Sequence, residues 1–512
     1  MRASLCALSL LWVGTFAQAQ SLEPLSAIDW LSEVIEAPET GPAVPLGFDD
    51  VPSLGVEELS IEVTPLGRAS PDTVGVLPQS MTGLPLSLWR NSREEVLVTL
   101  IRAETLDTLP AMRELLTMLL LAEADAPFDA HPKGPLFQAR VDKLLDLGAI
   151  SQAQSLIEAA NPDTADLFSR WFDISLLTGT EARACATLRA APDIEPTYAA
   201  RVFCTARGQD WDAAALILNT GMALGDISGE EQELLLRFLD DSYAEIAEPL
   251  APPTRISPLV FRIREAIGER IPTSGLPVAF AHADLVEYVS WRSRLEAAER
   301  LSRLGVVDDN VLQALYTFQT PAASGGIWDR AEAFQRFDTA ITARDPSAIA
   351  ATLPDAWSAM EAAGTQVAFA RLYAPELARL PLSSSAASLN FRIQLLSRNY
   401  EGSAMDYTPQ TSEESFLVAV ARGQLIGVEA TTLKQEAVKA GFTTTVAPQA
   451  IQALLAEDKL GEALLRSIAT FNEGLVGDPA AVAEALAVLR AVGLQDFARR
   501  ASLQYLLLDQ QT

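Results

Sequence analysis

The chain has 512 residues, 49% of them hydrophobic, and its 67 acidic and 38 basic side chains give a net charge of −29. This acidity argues against binding to nucleic acid or to anionic membranes, because affinity for phosphate groups comes from Lys and Arg. The hydrophobic content is sufficient for a packed core, and the length predicts several globular units or one elongated repeat array.

The first 19 residues have the features of a secretory signal peptide. Arg2 provides a positive charge, residues 5–16 are mostly apolar but too few to span a bilayer, and Ala17 and Ala19 supply the small side chains of a cleavage site. We therefore expect cleavage after Ala19 and a periplasmic location. No later apolar run is long enough for a transmembrane segment, so none is predicted.

Residues 20–81 are predicted to form an N-terminal arm with a short helix, a flexible linker and a short strand. The linker is rich in Pro, Gly and acidic residues, and residues 59–67 alternate between apolar and polar as a strand does. The helix is a candidate docking segment for a partner; the alternative is that it packs on its own chain. Its apolar face and flanking tryptophan comprise Ile28, Trp30, Leu31, Val34 and Ile35.

After the arm, the sequence predicts helices almost throughout. Runs of about 10 to 18 residues with helical spacing are separated by breaks that contain Gly, Pro, Asn or Asp, and short breaks favour antiparallel neighbours. Ser92 and Glu95 are expected to form a capping box at the first of these helices. The longest polar break, 401–414, is predicted to link a helical-repeat domain, 82–400, to C-terminal helical hairpins, 415–512.

Cys185 and Cys204 are predicted to form a structural disulfide. The third cysteine of the chain, Cys6, lies in the predicted signal peptide. Pro192 and Asp193 end the helix that contains Cys185, so both cysteines should lie roughly two turns from the connection of an antiparallel helix pair. A metal site lacks a nearby His and a redox pair lacks the C-x-x-C spacing, which leaves two buried free thiols as the alternative.

Three segments share a Gly between two helices and a small residue five positions later. The pairs are Gly148 with Ala153, Gly208 with Ala213, and Gly493 with Ala498. This motif resembles the tight turn of tetratricopeptide-type helical repeats, in which small residues let helices approach closely. The resemblance implies an all-α fold built as an irregular α-solenoid of antiparallel helix pairs. It carries over no binding residues.

The sequence contains no motif that identifies a catalytic, cofactor or metal site. His131 follows acidic residues within 123–129, but the spacing fits neither an EF-hand loop nor a zinc motif. His282 has Asp284 close by, without the nucleophile elbow of a serine hydrolase. A phosphate loop, a dinucleotide fingerprint and an H-E-x-x-H motif are absent from the sequence. We therefore expect no cofactor and no bound metal.

These observations favour a non-enzymatic periplasmic scaffold or adaptor that binds other envelope proteins through a helical-repeat surface. The alternative is an enzyme of the peptidoglycan cell wall, or an accessory factor for one, although the catalytic Glu of a lytic transglycosylase is not identifiable. A third hypothesis is a periplasmic ligand-binding protein with a pocket between helical lobes. Five tryptophans are candidates for a sugar or peptide groove, but their spacing is more typical of a core: Trp171, Trp211, Trp291, Trp328 and Trp357.

Overall fold

The computed structural model describes residues 70–191, 194, 197–240, 242, 248–382, 384–444 and 446–508. Over these residues the chain folds into helices without a strand, and an isolated bridge joins Leu77 to Ala122. The predicted all-α class is therefore confirmed, whereas the solenoid arrangement stays a prediction. The expected signal peptide, docking helix and short strand all lie outside the described residues.

The first part of the described chain contains eleven α-helices, most of which pack into a first hydrophobic core. They are α1 Gln79–Thr82, α2 Glu94–Ala103, α3 Pro110–Leu121, α4 Pro135–Asp146, α5 Ile150–Ala160, α6 Ala165–Thr178, α7 Glu181–Ala190, α8 Tyr198–Arg207, α9 Trp211–Leu224, α10 Gly229–Leu239 and α11 Pro258–Ala266. Short 3₁₀ turns occur at Pro71–Thr73, Leu86–Leu88, Thr273–Gly275 and Val278–Asp284. Proline opens α3, α4 and α11, where its missing N–H would have no helical partner in any case.

The middle of the chain forms a second hydrophobic core. Its helices are α12 Trp291–Leu304, α13 Asp309–Tyr316, α14 Ile327–Ala343, α15 Pro346–Ala363, α16 Gln366–Leu377 and α17 Ser384–Leu395. Aromatic rings fill its centre: the Phe337 and Phe369 centroids are 5.2 Å apart, and the Tyr373 centroid is 4.9 Å from that of Phe369. Such edge and tilted contacts add to the stabilisation that burial of these large side chains provides.

Most of the C-terminal helices return to the first core, whereas α21 packs in a smaller cluster that includes Ile451. They are α18 Tyr400–Asp406, α19 Ser412–Arg422, α20 Leu433–Thr443, α21 Gln449–Ala456, α22 Leu460–Val476, α23 Pro479–Ala491 and α24 Gln495–Leu507. Helix α24 packs on α3, and α22 packs on α2. The Ala111 N–H donates to Gln504 Oε1 at 2.8 Å, and the Thr108 hydroxyl donates to Asn472 Oδ1. The two ends of the described chain are therefore held together by buried contacts.

Residues 401–414, the predicted linker, carry most of α18 and the start of α19. Tyr400 and Ala404 are buried, and α18 packs on both α17 and α19. The segment thus contains packed helix on both sides of a non-helical break at 407–411. The assignment of separate domains on its two sides stays a prediction.

The predicted disulfide joins Cys185 of α7 to Cys204 of α8, whose Cα atoms lie 5.0 Å apart. Both cysteines are 1% exposed, and the two helices pack on each other. The disulfide is therefore buried within the first core, and it joins positions of α7 and α8 that lie side by side.

The three glycine turns each connect two helices that pack on one another. Gly148 and Gly493 have φ angles of 74° and 87°, a region that glycine occupies without the steric cost of a side chain. Ala153 and Ala498 are fully buried, as close helix packing requires. The resemblance to a repeat family stays a prediction.

The predicted capping box at α2 is wrong. The helix begins at Glu94 and its N-cap is Arg93, which makes no side-chain cap. The Glu94 N–H instead donates to Asp129 Oδ1 at 2.9 Å, and Ser92 Oγ is buried without a partner. A carboxylate from a distant loop therefore replaces the local cap, because tertiary contacts place it closer to the first-turn amides.

Candidate functional site

An open cleft lies where the first hydrophobic core meets the second. Helices α3 and α5 form one wall, the end of α12 and the start of α16 form the other, and α24 contributes Phe497. The cavity volume is about 360 Å³. This is within the range of roughly 300–1,000 Å³ that ligand pockets occupy, so the cleft can hold a small molecule or a few side chains of a peptide.

The lining of this cleft is positively charged in a strongly acidic protein. Four arginines face one glutamate, Glu114, which leaves an excess of three positive charges. The arginines are Arg113, Arg303, Arg371 and Arg398. Because the whole chain carries −29, this local reversal of sign makes the cleft a place where an anionic group is stabilised and most of the remaining surface repels it. We refer to it as the arginine cleft.

Arg113 anchors the floor of the arginine cleft. It is 6% exposed, and its two terminal nitrogens donate to the Arg303 carbonyl at 3.1 Å and the Thr108 carbonyl at 2.6 Å. Burial lowers the pKa of Arg113 to about 10, while Asp107 opposes that change. The guanidinium therefore keeps its positive charge at neutral pH, and its role is to join α3 to the end of α12.

The other arginines of the cleft differ in how many hydrogen bonds and ion pairs they already make within the protein. Arg371 lies 3.3 Å from Glu114, a carboxylate that Arg500 also contacts at 2.7 Å. Arg303 donates from Nε to the Ala363 carbonyl at 3.1 Å. Arg398 is exposed and makes no hydrogen bond or ion pair with the described residues, but its charge and that of Arg371 partly oppose the rise that burial causes in the pKa of Asp309. Arg398 and the partly neutralised Arg371 are thus the cations that are most available to a ligand.

Three helices begin at the arginine cleft. The first turns of α3, α5 and α16 contribute to its lining. The N-cap residues of these helices make no side-chain cap, but in α3 the Gln504 side chain accepts the Ala111 N–H. First-turn amides have no intrahelical partner and form the positive end of the helix dipole. The ends of α12 and α15 also reach the cleft, but Arg113 and Arg303 donate to their carbonyls. The backbone at the starts of α5 and α16 therefore adds to the positive potential that the arginines create.

Three buried polar atoms in the cleft have no partner in the protein. They are Arg113 Nε, Gln152 Oε1 and Ser302 Oγ, and all three residues line the cavity. Leaving such a group unsatisfied costs about 1–3 kcal/mol, a cost that a polar ligand would remove. Arg113 Nε and Ser302 Oγ can donate to an anion, whereas Gln152 Oε1 can only accept a hydrogen bond. The excess positive charge is therefore the feature that indicates an anionic ligand.

The residues considered in the sequence analysis lie away from this cleft. The His282 ring contacts the Gly148 carbonyl at 2.7 Å, and Asp284 binds Arg270 and Thr273, so the two do not form a catalytic pair. The His131 backbone N–H donates to Glu94 Oε2 at 3.1 Å. Within the described residues, no group of three or more His, Cys, Asp or Glu side chains is arranged to hold a metal ion.

Most of the candidate tryptophans belong to the cores. Trp171, Trp291 and Trp357 are buried, and the ring of Trp328 contacts that of Trp291 in a tilted arrangement with the centroids 4.9 Å apart. Trp211 is 49% exposed on α9. The structure therefore does not bring these rings together as a sugar-binding or peptide-binding groove.

A buried glutamate at the end of α2 makes stability depend on pH. Glu104 is 5% exposed, its Oε2 has no partner, and Lys143 Nζ binds its backbone carbonyl at 3.0 Å. Burial raises the pKa of Glu104 from 4.5 to about 8, and the charge of Lys143 partly opposes this rise. The folded state thus holds a proton that the unfolded state releases, and stability falls as the pH rises from about 4.5 to about 8.

Glu104→Gln is expected to raise the free energy of unfolding by roughly 2 kcal/mol at pH 9, because the variant no longer has to bury a charge. At pH 4 the variant and the wild type should differ little, since Glu104 is then neutral in both states. Urea denaturation at the two pH values measures the difference. The matched control is Glu95→Gln on the exposed face of α2. An equal effect of both substitutions at pH 9 would contradict the prediction.

Comparison of the chain with family models, with curated proteins and with solved structures finds no match. Among the described residues, no helix combines the length and the apolar character needed to cross a membrane. The function must therefore be argued from the arginine cleft and the helical architecture.

The sequence analysis missed the residues of the arginine cleft. They lie on α3, on α12, on α16 and just after α17, so no local motif connects them. Each is also an ordinary helix-forming residue in its own segment. The packing of the two cores brings them together.

Proposed function

We propose that this chain is a non-enzymatic periplasmic scaffold or adaptor that binds other envelope proteins, and that the arginine cleft holds an acidic segment of a partner. The observation that carries the proposal is the excess of three arginine charges in one open cleft of a chain with net charge −29. A partner with a patch of Asp or Glu would be attracted to this cleft and repelled from most other surfaces.

The disulfide supports the proposed location. Disulfide bonds persist in oxidising compartments such as the periplasm, and Cys185 and Cys204 are bonded here. This agrees with a signal peptide that is cleaved after Ala19. Helices stacked in pairs also provide a broad surface on which a partner can extend beyond the cleft itself.

The proposal predicts that the double variant Arg371→Gln, Arg398→Gln binds a fluorescein-labelled hexa-aspartate peptide at least about tenfold more weakly than the wild type does. Each lost charge-assisted hydrogen bond is worth roughly 1.5–3 kcal/mol where solvent is excluded and less in an open cleft. Fluorescence anisotropy at low and high salt measures the affinity, which should fall as salt screens the charges.

The matched control is Arg336→Gln, an exposed arginine that pairs with Asp355 and lies outside the cleft. This variant should bind hexa-aspartate as tightly as the wild type does. Neither the wild type nor Arg336→Gln should bind a hexa-serine peptide. The same variants can be cross-linked in intact cell envelopes, where proteins captured by the wild type should be lost with the double variant and kept with Arg336→Gln. Equal affinity of all three proteins for hexa-aspartate would refute the role of the cleft.

The enzyme alternative has its own test. Purified full-length chain incubated with peptidoglycan is expected to release no muropeptides. Their release by the wild type would favour a cell-wall enzyme over a scaffold, whatever the result with hexa-aspartate.

A periplasmic ligand-binding protein is the second candidate, and the size of the cleft favours it. A volume of about 360 Å³ can enclose a small polycarboxylate as well as a peptide segment. Citrate serves as the probe: if it binds the wild type at micromolar concentration and displaces hexa-aspartate, the cleft is a small-ligand site. If citrate does not compete at millimolar concentration, the acidic-segment proposal is favoured.

A further inference from the structure

A second cavity, of about 320 Å³, lies between α6, the start of α8 and the start of α11. It shares no lining residue with the arginine cleft. Three aromatic and three acidic residues line it: Phe168, Phe172, Tyr198, Asp173, Asp226 and Glu231. Arg255 is the one basic residue of the lining. The character of this cavity is therefore aromatic and acidic, the reverse of the arginine cleft.

Asp173 is the buried polar group of this cavity. Its residue is 4% exposed, its Oδ2 has no partner, and its carboxyl makes no hydrogen bond or ion pair with the described residues. The neighbouring Arg170 is already bound to Asp142: Nε donates to Oδ1 at 2.7 Å, and Nη2 donates to Oδ2 at 3.1 Å. Burial raises the pKa of Asp173 well above its usual value, although Arg170 opposes that change. The fold thus places a carboxyl group at the cavity without a matching donor.

The aromatic side chains are suited to the same kind of ligand. The Phe168 and Phe172 rings lie stacked with their centroids 6.2 Å apart and a 10° angle between their planes. Ring faces attract cations, and they also pack against methylene groups. A ligand with a cationic head and an apolar stem would therefore match both parts of the lining.

The N-termini of the helices at this cavity do not favour the binding of an anion. The Thr197 hydroxyl accepts the Ala200 N–H at 3.2 Å at the start of α8, and the Ser257 hydroxyl accepts the Val260 N–H at 3.2 Å at the start of α11. These side-chain caps occupy amides that an anion would otherwise contact. In the arginine cleft, by contrast, the starts of α5 and α16 have no side-chain caps.

We propose that this cavity binds an organic cation with a primary ammonium group, which donates to the Asp173 carboxylate while its methylene chain lies against Phe168 and Phe172. Glu231 and Asp226 add negative charge at the cavity. The ammonium group supplies the donor that the fold leaves out, and its charge favours the ionised form of Asp173, which burial disfavours. The same chemistry can come from a free alkylamine or from the lysine side chain of a peptide.

Isothermal titration calorimetry of the full chain tests this with three probes: 1-aminopentane, N-acetyl-lysine methylamide and 1-pentanol. One or both amines are expected to bind the wild type, and Asp173→Asn should weaken that binding by about tenfold or more. The alcohol should bind the wild type no more tightly than it binds Asp173→Asn. Binding of 1-aminopentane alone indicates a free amine, and binding of the lysine derivative indicates a peptide side chain.

Asp212→Asn is the matched control, because Asp212 is an exposed residue of α9 outside the cavity. It should leave amine affinity unchanged. If Asp173→Asn fails to fold, Glu231→Gln provides a second variant, for which a loss of about twofold to fivefold is expected because Glu231 is less buried than Asp173. The inference is overturned if neither amine binds the wild type at 10 mM, or if the cavity variant that folds binds as tightly as Asp212→Asn does.

Discussion

Gly461→Ala is expected to lower the free energy of unfolding by about 3 kcal/mol, the cost of forcing an extra methyl group into a closely packed site. A Cβ atom at this position would lie 2.4 Å from the ring carbons Cε3 and Cζ3 of Trp89 and 2.6 Å from the Leu88 carbonyl oxygen. Trp89 is fully buried, so its ring cannot move aside without disturbing the core. The carbonyl oxygen belongs to the backbone and has even less freedom to shift.

Helix propensity alone would predict the opposite result, namely that Gly461→Ala stabilises the protein. Alanine inside a helix is normally more stable than glycine by roughly 0.5–1 kcal/mol, and Gly461 lies near the start of α22, where the gain is smaller still. The steric cost should therefore dominate. Urea denaturation measures the change in stability. Hydrogen exchange should show faster opening of residues 84–92, because Gly461 is where α22 contacts that segment.

Gly477→Ala is the matched control for this prediction. The nearest atom to a Cβ at position 477 is the Glu473 carbonyl oxygen, at 3.7 Å, an ordinary contact distance. This substitution at the other end of α22 should change stability by less than about 1 kcal/mol. If Gly461→Ala proves as stable as Gly477→Ala, the described packing of the C-terminal helices on the N-terminal segment is wrong.

Removal of the disulfide by the double substitution Cys185→Ala, Cys204→Ala is expected to cost about 3 kcal/mol of stability. The bond closes a loop with a sequence separation of 19 residues, which restricts the unfolded chain. Alanine is used because both cysteines are 1% exposed, and a serine hydroxyl there would need a hydrogen-bond partner.

Urea denaturation of the wild type with and without reductant separates the bond from the substitution itself. Reductant should destabilise the wild type by nearly the same amount and leave the double variant unaffected. Alkylation of the unfolded, non-reduced wild type should label neither Cys185 nor Cys204. Labelling of both residues in protein purified from the periplasm would show that the pair is not bonded there.

The two cavities give the protein opposite binding preferences. The arginine cleft has three excess positive charges, and the cavity at Asp173 has three carboxyl groups against one arginine. A scaffold with both sites could hold an acidic segment in one and a cationic group in the other. The two tests use different variants and different probes, so the failure of one leaves the other proposal intact.

The sequence predicted the features that depend on neighbours along the chain. Helical spacing with Gly and Pro breaks led to the all-α class, because these residues control backbone conformation locally. The positions of Cys185 and Cys204 relative to Pro192 predicted the disulfide. In two antiparallel helices joined by a short connection, the number of residues from the connection gives the distance of each cysteine along its helix. The glycine turns at 148 and 493 follow from the same local rules.

Local patterns were insufficient where a distant residue competes with a near one. Ser92 and Glu95 matched a capping box, yet Asp129 accepts the Glu94 N–H because the fold brings its carboxylate to the helix start. The polar segment 401–414 carries packed helix in spite of its composition, since burial of Tyr400 and Ala404 stabilises α18. In both cases a tertiary contact outweighs a local preference of about 1 kcal/mol.

What the sequence by itself determined is the class of fold, the disulfide and the acidic surface, because each depends on composition or on spacing within a few helical turns. Only the tertiary structure decided that α22 packs closely on Trp89 at Gly461, that four arginines distant in sequence line one cleft, and that Asp173 is left without a donor. The physical reason is that burial and charge pairing act between residues that are close in space, and helix packing alone sets those distances.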